Sequence, residues 1–557
     1  MSERSGARIL LEVLKSEGVE VVFGIPGGSV IPILDAFYDE VTPKFVLMRH
    51  EQGAGHAADG YARATGRVGV CLATSGPGAT NLVTALATAN FDSVPMVAIT
   101  GQVKTNLIGN DAFQEADITG IARPCTKHTY LVRDVTRLGE ALRAAFHIAR
   151  TGRPGPVLVD IPVDVAVAKT DAPVPDRVEL PGYKPVYKGN RRQIKRAAEA
   201  INAAEKPLLY VGGGVIVSEA SDLLLQLATR ANIPVTTTLM GLGAFPEDHP
   251  LSVKMLGMHG TAYANYAVQE SDLLIAIGAR FDDRITGDTK TFAPHATILH
   301  VDIDPSSISK NIRVDIPVVG DAKDILQGIL ELAEPRDHGP WLEQIAAWKA
   351  KHPLAYKPNG LKPQYVVEQI CDVSKGRAIV CTEVGQNQMW AAQWYTHRYP
   401  RHFISSGGLG TMGYGFPAAI GAQVGRPDAI VVDVAGDGSI QMNIQELAPA
   451  VYNKIPVKIC ILNNGYLGMV RQWQQLFYKS RYSGTVLAGN PDFVRLAEAY
   501  GARGARITKT EEVRPALETA FADREVWILD FAIEPEENVF PMVPVGEAID
   551  RMIGGMA

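Results

Sequence analysis

Residues 429–466 read AIVVDVAGDGSIQMNIQELAPAVYNKIPVKICILNNGY, and their pattern decides the predicted fold. The apolar, β-branched run Ala429–Ala435 predicts a buried parallel strand that ends at a Gly-Asp-Gly turn. A second apolar run, Val457–Leu462, ends at a pair of asparagines. Between the two runs, apolar residues recur at helical spacing, at Ile440, Ile444, Leu447 and Val451. We therefore expect a strand, turn, helix and second strand joined by a right-handed crossover.

Asp437 and Asn464 directly follow these two expected strands. Because the carboxyl ends of parallel strands share one sheet edge, where open α/β sheets bind ligands, both side chains should lie together. A carboxylate and an amide oxygen suit Mg²⁺, which keeps its other positions for water and phosphate oxygens. Gly436 and Gly438 let the backbone approach a diphosphate, and a helix starting at Ser439 would attract its negative charge. The alternative is a chance Gly-Asp-Gly turn followed by an unrelated asparagine loop.

Composition sets the broad class of the protein. With 557 residues, 46% of them hydrophobic and 20% charged, the chain suits a soluble globular protein of about three to four domains. A net charge of -6 gives no reason to expect nucleic acid or an anionic membrane as a partner. No apolar run approaches the roughly 20 residues of a membrane span. Residues 1–18 lack a signal-peptide pattern and predict an amphipathic helix.

Five cysteines are scattered along the chain without CxxC spacing, which favours free thiols in a reducing cytoplasm over disulfides or zinc. They are Cys71, Cys125, Cys371, Cys381 and Cys460.

Strand and helix patterns alternate along residues 1–165 and predict a first doubly wound α/β domain. The expected strands are Val19–Phe23, Lys44–Met48, Val68–Ala73, Val94–Thr100 and Pro156–Ile161. Glu51 follows the second of these strands, so its carboxyl group should face the ligand edge. The alternative for Glu51 is a surface glutamate on a strand–helix loop. We expect the nearby His50 and His56 to be structural rather than acid–base residues.

Two polar stretches divide the rest of the chain. Residues 166–190, rich in proline and charge, predict an interdomain linker, and residues 331–362 predict a second one. A middle α/β unit spans 191–330, where expected strands Leu208–Val211, Leu273–Ile277 and Ile298–Val301 end in Gly or Asp, as dinucleotide sites do. It contains no GxGxxG fingerprint. The third unit, 363–557, shares the layout of the first, as if duplicated.

The Gly-Asp-Gly turn, 24 residues (Ser439–Leu462) and the asparagine pair together resemble the diphosphate-anchoring motif of thiamine diphosphate enzymes. The resemblance implies that Asp437, Asn464 and the main-chain carbonyl of Tyr466 hold Mg²⁺. Residues 49–66, RHEQGAGHAADGYARATG, resemble the cofactor-activating segment of the same family. There the carboxyl of Glu51 would bind N1′ of the aminopyrimidine ring, so that N4′ can remove the C2 proton.

The implied fold is α/β, with three doubly wound parallel-sheet domains. They would be an aminopyrimidine-binding domain over 1–165, a central FAD-binding domain over 191–330 and a diphosphate- and Mg²⁺-binding domain over 363–557.

Motifs over almost the whole chain are similar to the catalytic large subunits of acetohydroxyacid synthases, also called acetolactate synthases. The most specific are GARFDDR at 278–284 and MVRQWQ at 469–474. Others are GIPGG, DAFQEADI, GRPGPVLVDIPVDV, LGMHG, VDIDP and GGLGTMGYGFPAAIGA. The resemblance implies that pyruvate is decarboxylated to a hydroxyethyl–thiamine diphosphate enamine. This nucleophile would attack a second 2-ketoacid, giving 2-acetolactate or 2-aceto-2-hydroxybutyrate for branched-chain amino acid biosynthesis.

The resemblance also assigns site residues. Beside Glu51, it implies Gln114 near the reacting centre, Met412 holding the cofactor bent, and Arg280 and Trp473 selecting the second substrate. Further thiamine diphosphate contacts would be Gly27, Gly28, Thr74, Pro77, Asn81, Val384, Gly385, Gln386, Asn387, Gly410, Gly438, Ser439, Leu467, Gly468 and Met469. FAD contacts would be Arg153, Gly212, Gly213, Gly214, Thr238, Leu239, Met240, Leu256, Gly257, Met258, His259, Gly278, Ala279, Asp282, Arg284, Asp302, Ile303, Gly320 and Asp321. Because the net reaction needs no electrons, this FAD would be structural.

In this family the two halves of the cofactor bind different subunits, which implies a homodimer or a dimer of dimers with Glu51 acting across the interface. The sequence does not decide whether a small regulatory subunit also binds. Lys104 stands where the family often has Pro, so the mouth of the active-site channel could have a different shape. Asn387 stands where the family often has His beside the diphosphate, so cofactor affinity could differ. A flavin-dependent pyruvate oxidase or a simple 2-ketoacid decarboxylase on the same scaffold is the nearest alternative. A catalytically dead nucleotide-binding or scaffolding protein would not need Glu51, Asp437 and Asn464 together.

Overall fold

The computed structural model describes residues 3–38 and 40–554. In this part of the chain, short apolar runs form three parallel sheets of six strands each, and helices cover the faces of every sheet. Both faces of such sheets are buried, which is why their strands are apolar throughout rather than alternating. The predicted α/β class with three doubly wound units is therefore confirmed.

The first sheet has the strand order Lys44–Leu47, Val21–Gly24, Gly69–Ala73, Met96–Gln102, Pro156–Pro162 and His128–Leu131. The five predicted strands are present within about three residues of their expected ends, and the edge strand His128–Leu131 was not predicted. The helices of this unit are Gly6–Ser16, Ile31–Phe37, Glu51–Thr65, Pro77–Asn81, Val83–Phe91, Ile118–Ala122, Leu138–Arg150 and Val163–Val167. The first of them confirms the amphipathic helix predicted at the start of the chain.

The middle sheet has the order Ser252–Met255, Val235–Thr237, Pro207–Val211, Leu273–Ile277, Thr297–Asp302 and Ile316–Val319. In order of sequence these are strands 3-2-1-4-5-6, the arrangement that binds dinucleotides where the strand order reverses. Its helices are Arg191–Ala203, Gly213–Val217, Ser221–Ala231, Ala262–Glu270, Asp283–Thr286 and Ala322–Leu332.

The third sheet has the order Phe403–Ile404, Ile379–Thr382, Val431–Gly436, Lys458–Asn463, Trp527–Ala532 and Arg503–Ile507. Counted along the sequence, the first and third sheets share the order 2-1-3-4-6-5, which supports the predicted common layout. The helices are Pro363–Val373, Gln386–Trp394, Gly415–Gly425, Leu447–Tyr452, Gly468–Phe477, Phe493–Tyr500 and Thr510–Ala522.

The prediction that a helix begins at Ser439 is wrong. Two short 3₁₀ turns, Ile440–Met442 and Ile444–Glu446, precede a helix that begins only at Leu447. Asn443 interrupts the path, because its side-chain N–H donates to the main-chain oxygen of Gly413 at 2.6 Å. A continuous helix would also place Pro449 in its interior, where the ring clashes with a preceding carbonyl.

The second polar stretch also differs from the expected irregular linker. It contains the helix Gly339–Lys351, whose residues Trp341 and Ile345 are buried against the middle domain. The indole N–H of Trp341 donates to the carbonyl of Pro207 at 3.0 Å. Trp341, Ile345 and Trp348 recur at helical spacing in the sequence, but the polar residues and the Gly-Pro and Pro-Asn-Gly motifs of this stretch favoured a linker. Residues 171–190 of the first linker form neither helix nor strand.

Helices Glu51–Thr65 and Gly415–Gly425 join the first and third domains through one continuous hydrophobic core. They approach so closely that a methyl group on Gly60 would lie 2.0 Å from the carbonyl oxygen of Ala418. One on Gly421 would lie 1.8 Å from that of Ala57. The contact therefore requires glycine on both helices and fixes the two sheets relative to each other.

Across the described residues, no helix combines the length and the apolar character needed to cross a lipid bilayer. The five cysteines are unpaired, and all but Cys125 are buried.

Candidate active site and cofactor cavity

The predicted metal ligands lie at the carboxyl edge of the third sheet, on neighbouring strand ends. Strands Val431–Gly436 and Lys458–Asn463 pair in parallel, so Asp437 and Asn464 leave the sheet side by side. Asp437 is buried, and the amide of Asn490 donates to its Oδ2 at 2.6 Å. Burial raises the pKa of Asp437 to about 6, although the hydrogen bond from Asn490 and, to a smaller extent, nearby main-chain N–H groups oppose this shift.

Asn464 is oriented by two hydrogen bonds. Its Oδ1 accepts from the main-chain N–H of Tyr466 at 3.0 Å, and its Nδ2 donates to Gln386 Oε1 at 3.1 Å. Within the described residues, no three His, Cys, Asp or Glu side chains converge as a metal cluster. One buried carboxylate with amide and carbonyl oxygens fits a hard cation that takes its remaining ligands from phosphate and water.

The loops beside this edge contain glycines, which would let a diphosphate approach their main chain. Gly385 and Gly410 have φ values of 144° and 74°, which favour glycine. The side chain of Asn387 instead turns into the sheet, where its Nδ2 donates to the carbonyl of Val434 at 2.8 Å. Ser439 precedes a 3₁₀ turn, so the predicted helix N-terminus is not available there. Gly438, Leu467, Gly468 and Met469 lie on the same edge, after the two central strands.

Glu51 begins a helix at the corresponding edge of the first sheet. Only 8% of this residue is exposed, and the amide of Asn81 donates to its Oε2 at 2.9 Å. A methyl group on Gly78 would lie 3.2 Å from Glu51 Oε1, so the helix after Pro77 passes close to the carboxylate. Thr74 packs against Gly27. The first sheet thus brings Glu51, Asn81, Thr74, Pro77, Gly27 and Gly28 to one place.

The flanking histidines occupy structural positions, as predicted. His50 Nδ1 accepts from the N–H of Gln52 and caps the helix, while His56 is fully buried and desolvation lowers its pKa to about 3. Gln114 lies on the surface of this site with φ 58°, and its main chain passes against Gly76.

Sequence reasoning missed Glu446, which holds the segment in front of Glu51. Its buried carboxylate accepts from the main-chain N–H of Arg49 at 3.1 Å and of His50 at 2.9 Å. Burial raises the pKa of Glu446 to about 7. The only local signal is Gly53, where a methyl group would lie 2.4 Å from Glu446 Oε1.

A cavity of about 820 Å³ lies at the carboxyl edge of the middle sheet. All predicted FAD positions line it except Gly257, which packs behind the wall against Arg284 and Ile285. Gly212 and Gly278 meet in the cavity wall where the strand order reverses, the usual position of a dinucleotide. Small-molecule sites typically enclose about 300–1,000 Å³, so volume and lining both fit FAD.

The cavity extends to the third domain. Its wall includes Val384, Gly385, Gly410 and Met469 together with the predicted substrate-selecting residues Arg280 and Trp473. The guanidinium carbon of Arg284 lies 5.8 Å from the centre of the Trp473 ring, a cation–π distance. The described lining does not include Glu51, Gln114 or Met412, nor the metal ligands Asp437, Asn464 and Tyr466.

Met412 is half-buried in a loop that another unpredicted carboxylate holds in shape. Glu383 Oε2 accepts from the N–H of Gly413 at 2.8 Å and from the hydroxyl of Ser439 at 2.6 Å. Its other oxygen accepts from the N–H of Phe416 at 3.1 Å. Burial raises the pKa of Glu383. Within a single chain, the five predicted catalytic residues therefore lie at three separate places. Glu51 and Gln114 lie at the edge of the first sheet, Met412 lies in its own loop, and Arg280 and Trp473 line the cavity.

Family models match all three domains. Residues 4–121 match the thiamine pyrophosphate enzyme N-terminal TPP-binding domain, 194–329 the central domain, and 383–531 the C-terminal TPP-binding domain. The fold and the paired sheet edges thus define a thiamine diphosphate enzyme.

Individual relatives narrow this class. The chain is 52% identical to the acetolactate synthase large subunit of Corynebacterium glutamicum, across 98% of this chain and 89% of the relative. It is 51% identical to the probable acetolactate synthase large subunit of Methanocaldococcus jannaschii, across 98% and 95%. For the Haemophilus influenzae acetolactate synthase large subunit the values are 49%, 99% and 98%. The chain belongs to the acetolactate synthase large-subunit family.

A buried charge cluster connects the two domains behind these sites. Arg63 donates to Asp59 at 2.7 Å and to Asp92 at 2.8 Å, and both carboxylates are fully buried. Asp92 in turn accepts from the main-chain N–H groups of Gly407 and Gly408, at 3.2 and 2.7 Å. The cluster therefore anchors the start of the loop that carries Met412.

Arg63→Leu should destabilise the protein strongly, because it leaves two buried carboxylates without a cation, at a cost of about 3–5 kcal/mol. Arg67→Leu is the matched control, since Arg67 pairs with Glu20 and both side chains are more than half exposed. Exposed pairs contribute about 0–1 kcal/mol. Denaturant midpoints followed by circular dichroism measure both effects. Equal shifts in the two variants would contradict the assigned role of Arg63.

Proposed function

We propose that this protein joins two 2-ketoacids with loss of CO₂, forming 2-acetolactate from pyruvate or 2-aceto-2-hydroxybutyrate with 2-ketobutyrate as acceptor. The observation that carries this proposal is the cavity wall, because Arg280 and Trp473 line the same cavity as Met469 and Gly385 of the cofactor edge. A guanidinium can hold the carboxylate of a second ketoacid, and an indole can cover its alkyl group. A simple decarboxylase or an oxidase needs no such acceptor site.

Thiamine diphosphate supplies, when bound, a thiazolium that acts as the electron sink for decarboxylation. Glu51 would hold a proton at N1′ of the aminopyrimidine ring, and Asn81 fixes the carboxyl group for this contact. The small exposed fraction of Glu51 keeps bulk water from competing for that hydrogen bond. Met412 would support the bent form of the cofactor, and Gln114 would lie near the reacting centre.

Asp437, Asn464 and the Tyr466 carbonyl would hold Mg²⁺, which neutralises the diphosphate. The FAD positions on the cavity wall would hold the flavin in a structural role, since the carboligation balances without electrons. Because glycine has no side chain, the glycine-rich loops at both sites let phosphate oxygens approach the main chain closely.

A second copy of the chain would complete the active site as a homodimer or as part of a dimer of dimers. Glu51 and the metal ligands lie on separate sheet edges of one chain. Phe113 and Met442, next to these two edges, are 89% and 53% exposed, which suits apolar side chains that a partner covers. The relatives are named large subunits, which favours an additional small regulatory subunit. The free cysteines favour the cytoplasm, which cell fractionation would test.

Product analysis tests the function directly. Holoenzyme supplied with pyruvate, without oxygen or another electron acceptor, should form acetolactate while its flavin spectrum remains oxidised. Adding 2-ketobutyrate should give the longer product as well. Acetaldehyde alone would identify a decarboxylase, and acetyl phosphate with peroxide under air would identify an oxidase; either result would refute the proposal.

Glu51→Gln should lower turnover by about 10²-fold or more, the usual scale for a lost proton-transfer partner. The amide is nearly isosteric and can still contact Asn81, so folding should be retained. Deuterium exchange at C2 of bound thiamine diphosphate, followed by NMR after acid quench, should slow in parallel. Exchange at the wild-type rate would remove Glu51 from cofactor activation.

Trp473→Leu should lose most of any preference for 2-ketobutyrate over pyruvate while still forming acetolactate. One methylene group in an apolar pocket is worth about 1–3 kcal/mol, or about 10–200-fold in selectivity. Trp527→Leu is the matched control, because Trp527 is another half-buried tryptophan of the same domain and lies outside the cavity lining. Competition between both ketoacids measures the product ratio. An unchanged ratio, starting from a discriminating wild type, would exclude Trp473 from the acceptor pocket.

A further inference from the structure

A buried chain of side-chain amides runs from the proposed metal ligand Asn464 to the main chain of Glu537 and Val539. Its members, Gln386 and Gln472, have 3% and no exposure. Gln386 Nε2 donates to Gln472 Oε1 at 2.9 Å and to the carbonyl of Glu537 at 3.0 Å. The residues that receive these contacts, 536–543, are called the C-terminal segment below.

Main-chain groups of the C-terminal segment determine the direction in which the oxygen and the nitrogen of each side-chain amide point. Gln472 Oε1 accepts from the N–H of Val539 at 2.8 Å, and its Nε2 donates to the carbonyl of the same residue at 3.0 Å. A carbonyl can only accept and an N–H can only donate, so Gln472 has one possible orientation here. The bond to the Glu537 carbonyl sets Gln386 in the same way.

The orientation of Asn464 follows from this. Gln386 can present only its oxygen to Asn464, so Nδ2 of Asn464 must face Gln386. Oδ1 of Asn464 is then left on the side of Tyr466, where the metal is proposed to bind. Mg²⁺ accepts oxygen ligands, and a reversed amide would offer it an NH₂ group instead.

The glycine at the start of the next helix, Gly468, provides the space for the contact between Gln386 and Asn464. A methyl group there would lie 2.1 Å from Gln386 Oε1 and 2.6 Å from Asn464 Nδ2. Glycine at the beginning of the helix Gly468–Phe477 thus leaves room for the bond between the two amides.

The C-terminal segment is otherwise well attached to the same helix and to the cavity. Arg471 is buried and donates to the carbonyl of Glu536 at 2.9 Å and to Asn538 Oδ1 at 2.7 Å. The N–H of Val543 donates to the carbonyl of Met258 on the cavity side at 2.8 Å. The segment therefore contacts both proposed cofactor sites.

We propose that Gln386 and Gln472 are positioning residues that set the amide of Asn464 from the main chain of the C-terminal segment. Docking of this segment and binding of Mg²⁺ with thiamine diphosphate consequently favour each other. The inference rests on the proposed metal site and deepens it. Coupling of this kind is reciprocal, so the metal must also strengthen docking of the segment.

The first test is a Mg²⁺ titration of cofactor-stripped, full-length protein at saturating thiamine diphosphate, followed by tryptophan fluorescence. Gln472→Leu should raise the half-saturating Mg²⁺ concentration by about 10–100-fold, the usual effect of losing a residue that orients a ligand. Gln423→Leu is the matched control: Gln423 is an equally buried amide of the same domain that donates to main-chain carbonyls elsewhere. Wild-type Mg²⁺ affinity in folded Gln472→Leu would overturn the inference.

A double-variant cycle separates orientation from general loosening. In Asn464→Asp either carboxylate oxygen can face the metal, so the Mg²⁺ penalty of Gln472→Leu should largely vanish in that background. An equal penalty in both backgrounds would show that the glutamines act without orienting Asn464, and would overturn the proposal.

Hydrogen exchange gives a readout that needs no turnover and also serves if Gln472→Leu does not fold. Mg²⁺ with thiamine diphosphate should slow exchange of residues 536–543 in the wild type, and much less in Gln386→Leu. Equal slowing in both proteins would contradict the coupling.

Asp437→Ala distinguishes failure of the inference from failure of the proposed function. If Asp437→Ala loses Mg²⁺ binding while Gln472→Leu keeps it, only the inference fails. If Asp437→Ala binds Mg²⁺ as tightly as the wild type, the metal site is misassigned and the inference falls with it.

Discussion

The close approach of helices Glu51–Thr65 and Gly415–Gly425 is the constraint on which the remaining structure depends. Gly60 and Gly421 allow the carbonyl of each opposing helix to occupy the space where a side chain would begin. The first helix starts with Glu51, and the second directly follows the loop of Met412. Glu446 in front of the first helix and the Arg63 cluster along it extend the same contact. The two domains are thereby held as one unit, and each presents its ligand edge in a fixed direction.

The three sheets share one architecture, and a different ligand is proposed for each of them. The first and third sheets have the same strand order, and their reversal points carry the proposed aminopyrimidine and diphosphate contacts. The middle sheet has the dinucleotide order, and its reversal point opens into the large cavity. Since the cavity also reaches Trp473 and Met469 of the third domain, a flavin bound there would support one wall of the acceptor site.

Sequence alone did not predict the inner strands Val235–Thr237, Ile379–Thr382 and Trp527–Ala532. It did predict the two middle strands of each sheet and the positions of Asp437, Asn464 and Glu51 at strand or helix ends. This succeeded because strands buried on both faces are nearly pure apolar runs, and because their carboxyl ends converge. Edge strands such as Phe403–Ile404 and His128–Leu131 have no such run and were not predicted. The site residues carried over from the family resemblance remain predictions about role, although most of them line the cavity or the two sheet edges.

Other features depend on contacts between distant parts of the chain. The crossover after Ser439 carries a helical pattern, but a bond from Asn443 to Gly413 and the position of Pro449 outweigh it. Glu446 lies 395 residues from Glu51 in sequence, and its role depends on main-chain N–H groups that have no sequence signature. The same holds for Gln472, whose partner Val539 is defined only by the folded C-terminal segment.

A hybrid enzyme tests most directly whether the first and third sheets of different subunits form one active site. Glu51→Gln and Asp437→Ala subunits would be co-expressed with two different tags, and the mixed dimer purified by both. Each parent is expected to be inactive, while the hybrid contains one site with both residues intact and should show about half of the wild-type activity per dimer. A hybrid as inactive as its parents would contradict the account, because both residues would then serve a site within a single chain.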